Sequence, residues 1–289
     1  MPALPLAFAL ATPVLACDPM PGWEEVAQAS ADKYLVLGEA HGSAEAPTAT
    51  AELVCSLAQD GPVLLAIEFS SSTNAAWQRA WAAPHAEFRA RLFAEVSEWG
   101  ERNDGVASEA MLAMLVRLHA LKDAGADIDI VAFNGARDDA QRAAFAGLPG
   151  QEPHEAAQAA NIREAGQQRD YGHVVVLVGN LHAEKTPITL NGIDIRPMAN
   201  LLAEADRIVS LAMHTDGGET WGCQLGADVE FDPGKPITTE MLDCSAQRIG
   251  PDRDPRTRGF HLDPAMASRG FDGVFALGPV TASPLPAID

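Results

Sequence analysis

Two stretches of this chain end an apolar run in Gly-x-x-His. Residues 34–45 read YLVLGEAHGSAE, and residues 174–184 read VVVLVGNLHAE. Each puts an imidazole, His41 or His182, three positions beyond the glycine that ends the run, with Glu39 or Asn180 between. Imidazole is the side chain that most readily moves a proton near neutral pH, and a carboxylate beside it fixes its tautomer. A third group belongs with these two. Glu68 ends the apolar run VLLAIEF at residues 63–69. An acid there needs a partner or a route to the edge of the core, because burying it alone is costly. Two histidines with several carboxylates can activate water for hydrolysis, or hold a divalent metal that lowers the pKa of bound water.

Such groups act together only if the fold brings them together. Residues 34–37, 63–69, 128–133, 173–178 and 208–213 read as strands that are apolar on both faces. That pattern belongs to a parallel sheet covered by helices. Between them lie helical stretches at residues 49–59, 74–81, 87–99 (one apolar face of Phe88, Leu92, Val96 and Trp99), 108–124 with Ser108 as cap, and a polar helix at 155–168. The fold class expected is therefore α/β, a mostly parallel central sheet flanked by helices. In such sheets ligands bind outside the carboxyl ends of the strands. Gly38 and Gly179 end strands there, so Glu39, His41, Glu45, Glu68, Asn180 and His182 are expected around one crevice. Beyond residue 216 glycine and proline become dense, and residues 217–289 read as a β-rich elaboration, pinned by a disulfide, of the domain at 17–216.

The formal charge is −20, from 20 Lys+Arg against 40 Asp+Glu. A surface of that sign repels phosphate backbones, and aromatic residues at 6% offer few stacking platforms, so no nucleic-acid partner is expected. Residues 4–15 are apolar, too short to span a bilayer as a helix, and the tripeptide Val14, Leu15, Ala16 fits a signal-peptidase site. Residues 1–16 thus read as a signal peptide whose removal leaves no transmembrane segment, and the mature chain as periplasmic or secreted. Cleavage keeps all four cysteines, an even number that suits two disulfides. Lipidation of Cys17 would leave an odd thiol. Cys223 and Cys244 flank a Gly/Pro-rich loop and are the natural pair, which leaves Cys17 for Cys55.

The strings GEAHGSAEAP, AIEF and VVLVGNLHAE resemble the superfamily that contains erythromycin esterases, ChaN-type haem-binding proteins and the Tiki/TraB/PrgY proteins. WGERNDGVASEAM followed by DIDIVAFN is similar to the middle of ChaN-like proteins, the group the chain resembles most. The resemblance implies Glu39, His41, Glu68 and His182 as the site. It also implies two readings, an esterase-like hydrolase and a haem binder. ChaN-type haem binding is expected to use a tyrosine on iron, and this chain has only Tyr34 and Tyr171.

No Gly-x-Ser-x-Gly elbow occurs. HEAAQ at His154 lacks the second histidine of a zinc helix and reads as the start of a polar helix, PGKPIT at Pro233 lacks the glycines of a phosphate loop, and His119 reads as a solvated or boundary histidine. Arg102, Asn103 and Arg163 are candidates for holding an anionic substrate group. The function expected is an exported hydrolase of an ester or amide bond in a small molecule or peptide. His41 would activate water, Glu39 or Glu68 orient it, His182 serve as second acid/base or metal ligand, and Asn180 donate to the oxyanion. The alternative is a haem- or metal-binding protein without turnover. Cofactors stay open between a divalent metal, haem and none.

Overall fold

The structure, a computed structural model, describes residues 16–190, 193–226, 229, 238 and 241–287. Residues 1–15 of the leader and residues 233–237 of the PGKPIT stretch lie outside the described residues.

Seven strands form the central sheet: β1 (Tyr34–Glu39), β2 (Val63–Ser70), β3 (Ile128–Asn134), β4 (His173–Gly179), β7 (Ile208–His214), β10 (Gly259–Leu262) and β11 (Gly273–Ala276). Their order is β10-β11-β7-β1-β4-β2-β3, parallel throughout except for β10. Two hairpins stand apart, β5 (Ile188–Leu190) with β6 (Ile193–Ile195), and β8 (Gly218–Leu225) with β9 (Leu242–Ile249). The helices are α1 (Trp23–Ala29), α2 (Glu45–Leu57), α3 (Asn74–Trp81), α4 (His85–Glu95), α5 (Glu98–Glu101), α6 (Glu109–Asp123), α7 (Asp139–Phe145), α8 (Glu152–Gly166) and α9 (Met198–Leu202).

Side chains alternate along each strand, so the doubly apolar strands feed two cores. Leu35, Leu37, Ile67 and Phe69 meet Leu53 of α2, Trp77 of α3 and Leu115 of α6 on one face. Val36, Ala66, Val176 and Val178 meet Ile162 of α8 and Leu202 of α9 on the other. The edge strand β3 has its free backbone groups covered by α3. Trp81 Nε1 donates to Ile128 O (3.0 Å), Gln78 Nε2 donates to Ile130 O (2.7 Å), and Ala132 N donates to Asn74 Oδ1 (3.0 Å). Covering an edge in this way removes a template for unwanted strand pairing.

Both expected disulfides are present. Cys17–Cys55 ties the start of the described chain to α2, and Cys223 faces Cys244 across the β8–β9 hairpin. Residues past 217 do two things: β8–β9 is a separate hairpin, while β10 and β11 extend the central sheet.

Several local expectations are corrected. Residues 87–99 are not one helix. Val96 is extended, separating α4 from α5, although Phe88, Leu92, Val96 and Trp99 are all buried as the spacing predicts. The break lets Glu98 accept the Ser70 N–H (3.0 Å) while Trp99 packs on Phe69. The stretch expected at 155–168 begins at Glu152, and its polar side chains are not solvated: Glu152, Glu155, Gln158 and Asn161 are buried. His119 is fully buried, stacked on Phe88 at 4.1 Å between ring centres. The acids scattered over residues 123–139 read as solvated loop, but Asp138 caps α7 by accepting the Gln141 N–H (2.7 Å).

Candidate active site

Strand order builds the site. β4 lies between β1 and β2, so the ends of β1, β4 and β2 are three adjacent points on one edge of the sheet. From β1 the chain moves past β4 to β2 and on to β3; from β4 it passes over β1 to β7. Connections diverge there, and the crevice that opens at such a point is where α/β sheets bind ligands.

Five side chains form a continuous series along that edge. Glu39 Oε1 lies 3.0 Å from His41 Nδ1. His41 Nε2 lies 3.3 Å from Glu68 Oε2. Glu68 Oε1 lies 3.9 Å from His182 Nε2. His182 Nδ1 lies 2.8 Å from Glu155 Oε2. Carboxylate and imidazole alternate, and all three carboxylates are buried.

The backbone holds the series in place. Gly179 N donates to Glu68 Oε2 (2.7 Å), and Arg102 Nη1 donates to Glu68 O (2.6 Å). Met198 N, at the start of α9, donates to Glu155 Oε2 (2.8 Å). Glycine is needed at 179 for space: a Cβ there would stand 2.9 Å from His41 Nε2 and 3.5 Å from His182 Cδ2. Gly38 answers a similar demand, since a Cβ would meet Asn180 Oδ1 at 2.6 Å.

The electrostatics follow from burial and pairing. Burial alone would pull the His41 proton off, but the Glu68 charge and the hydrogen bonds to Glu39 and Glu68 override it and push its pKa up to about 10. Burial would likewise raise the Glu68 carboxyl; the His41 charge and hydrogen bond, with help from His182 and the Gly179 N–H, bring it down to about 2. Glu39 is raised by burial, against the opposing His41 hydrogen bond. His182 is raised because Glu155 and Glu68 outweigh its desolvation. At neutral pH His41 is therefore an imidazolium locked between two acids, and Glu68 is an anion.

The expected residues divide clearly. Glu39, His41, Glu68 and His182 are brought together. Arg102 is adjacent, gripping the Glu68 carbonyl and pairing with Asp104 (2.9 Å). Asn180 closes the end of β4 onto β1: its N–H donates to Glu39 O (2.8 Å), and its Oδ1 is buried against Gly38. Glu45 lies outside the series and accepts the Thr281 N–H (2.9 Å). Asn103 accepts the Trp221 Nε1–H through its carbonyl (3.2 Å), and Arg163 donates to Leu202 O (2.9 Å) behind α9. Glu155 was missed by sequence reading, and His154, read only as the start of a polar helix, has its ring centre 6.1 Å from that of His182. A signal existed: Glu155 is followed by Ala156, Ala157, Ala159 and Ala160, a small-residue face fit for close packing.

Haem and a divalent metal fit these residues poorly. Tyr34 opens β1 and Tyr171 precedes β4, so both lie at the opposite edge of the sheet, and Tyr171 Oη donates to Asp129 Oδ2 (2.8 Å). Three of the four imidazole nitrogens already face carboxylates at 3.3 Å or less. Among the described residues no group of three or more His, Cys, Asp or Glu side chains is arranged to hold a metal ion.

Fold and site define an α/β protein with a two-histidine, three-carboxylate cluster at the carboxyl edge of a parallel sheet. Known structures share the fold. The chain is similar to an erythromycin esterase in its open conformation (14% identity, 78% of this chain and 79% of that one, TM-score 0.53). It is also similar to a Bacillus cereus protein (12%, 91% and 93%, TM-score 0.57) and to a succinoglycan biosynthesis protein (12%, 93% and 93%, TM-score 0.59). The chain thus has the erythromycin-esterase-like fold that its motifs suggest. No family profile and no curated protein sequence matches it.

Proposed function

We propose that the protein hydrolyses an ester or amide bond, with His182 as general base on water. One observation carries this reading. His182 gives one ring nitrogen to buried Glu155 at 2.8 Å and keeps the other, Nε2, facing Glu68 Oε1 across 3.9 Å. In the neutral ring a carboxylate on Nδ1 fixes the tautomer that leaves Nε2 as acceptor, the logic of a carboxylate-oriented catalytic histidine. Because Glu155 and Glu68 raise the His182 pKa, this base form gains as pH rises above the ordinary histidine value. The gap to Glu68 suits one water donating a hydrogen to each side.

In the step proposed, water attacks the carbonyl carbon while its proton passes to His182 Nε2. The tetrahedral intermediate collapses as that proton moves to the leaving oxygen or nitrogen. Glu155 balances the transient imidazolium. His41 keeps Glu68 anionic, so that Glu68 orients the water without competing for its proton. This reverses the emphasis of the sequence reading, in which His41 was the base. An imidazolium held to about pH 10 is a poor base and a good electrostatic partner.

Two disulfides persist best in an oxidising compartment, which supports export. Among the described residues no helix is long and apolar enough to cross a membrane. The test is a panel of aryl esters, lactones and peptides given to purified protein and to His182→Ala. Turnover lost in the variant supports hydrolysis. No turnover, together with a Soret shift on haem titration, favours the binding alternative.

A further inference from the structure

A cavity of about 430 Å³ opens beside the carboxyl end of β7. That is one strand beyond β1 on the same sheet edge as the catalytic series. Its size is within the range of small-molecule sites, roughly 300–1,000 Å³. Its polar lining is His214, Asp252, Arg253, Asp254, Arg256 and Arg269. The chain has 20 Lys+Arg against 40 Asp+Glu, so three guanidiniums around one cavity run against its overall charge.

The groups differ in how far they are committed. Arg256 pairs with Asp263 (2.5 Å), and Asp252 accepts the Thr215 N–H (2.8 Å). Among the described residues Arg253 and Arg269 have no carboxylate partner, and both stand exposed at the rim. His214 is buried, and its Nε2 donates to Asp254 O (2.6 Å). That bond makes Nδ1 the acceptor in the neutral ring, and Nδ1 is buried with no hydrogen-bond partner. A buried polar atom without a partner is costly and calls for a donor from elsewhere.

We propose that this cavity binds a hydroxylated organic anion of monosaccharide size, such as a sugar acid. Arg253 and Arg269 would take the carboxylate and Asp254 would accept a hydroxyl, while a second hydroxyl would reach the solvent-closed His214 Nδ1 on a small shift of the lining. Buried Met266 and Val274 supply an apolar wall for the ring's C–H face. The inference is independent of the hydrolase reading, because it uses none of the catalytic residues.

The test is calorimetric titration of the whole purified protein at low salt with three probes: glucuronate, glucose and inorganic phosphate. Glucuronate should bind at least about tenfold more tightly than either of the others, since it alone joins an anionic group to a hydroxylated ring. The Arg253→Gln/Arg269→Gln double variant changes only exposed rim residues and should keep the parent's melting temperature. It should lose about tenfold or more of the affinity, while His182→Ala binds as the parent does. Glucose or phosphate binding as tightly as glucuronate overturns the proposal. So does a double variant with parental affinity, or the absence of saturable binding below about 10 mM.

Discussion

His41 and His182 meet through the two oxygens of one carboxylate: Glu68 Oε2 is 3.3 Å from His41 Nε2, and Glu68 Oε1 is 3.9 Å from His182 Nε2. Residues far apart in sequence share an acid because β4 inserts between β1 and β2. The two contacts differ: the shorter joins His41 to its counter-ion, and the longer lies beyond direct hydrogen-bond reach. The roles proposed for the two histidines rest on that difference.

Glu155 is the least expected member of the series and gives the sharpest mutational test. Glu155→Gln keeps the size and an acceptor for the Met198 N–H, but can present an amide N–H to His182 and turn its tautomer. The kcat should fall by roughly 10²–10⁴-fold with little change in KM. Steady-state kinetics on the best ester of the panel checks this; a loss confined to KM would make Glu155 a packing residue.

Gly179→Ala tests how closely the imidazoles approach the backbone. The added methyl would sit 2.9 Å from His41 Nε2, so the ring must move. Misplacement on that scale should cost about 10²-fold in kcat/KM. A variant with parental activity would show that His41 tolerates displacement, and would remove it from the reacting unit.

The paired charges make stability depend on pH. His41 holds its proton to about pH 10 in the folded state against 6.5 as its ordinary value. Between those values the folded state binds more protons than the unfolded one, so the contribution is complete below 6.5 and is lost as pH rises through 10. Glu68 is the converse: lowered to about 2 from 4.5, its contribution is complete above 4.5 and lost as pH falls through 2. The melting temperature of the parent should therefore fall relative to that of His41→Gln as pH rises from 6.5 to 10. Parallel curves over that window would mean that His41 is not held as a cation.

The Cys223–Cys244 bridge closes a loop of 21 positions, and its β8 strand reaches the site loop, where Trp221 N donates to Gly42 O (2.9 Å). Replacing both cysteines by serine should cost about 3 kcal/mol in urea denaturation. An unchanged midpoint would show that the register of the hairpin holds without the cross-link.

Much of this was legible in the sequence, for identifiable reasons. Strands buried on both faces, such as VVVLVG of β4, read as continuous apolar runs, and glycines at their ends mark where the backbone and ligand groups crowd. That Glu39, His41, Glu68 and His182 would come together could be read because Glu39 and Glu68 lie at or near the ends of such runs and His41 and His182 follow just beyond them. Glu155 could not be read in this way. It lies inside α8, where a glutamate is ordinary, and only the packing of α8 and α9 against the sheet turns it toward His182. The break at Val96 escaped periodicity, since its apolar residues stay buried on both sides of the extended residue. Glu45 was grouped with the site by nearness in sequence, but α2 starts there and carries it toward Thr281.

The most direct measurement is a double-mutant cycle on hydrolysis, using His41→Ala, His182→Ala and the double variant, with circular dichroism confirming that each is folded. If the histidines act through Glu68 as one unit, each single change should remove roughly 10²-fold or more of kcat/KM, and the double variant should be little worse than the poorer single. Losses that add in full, or either single variant with parental turnover, would contradict a shared site.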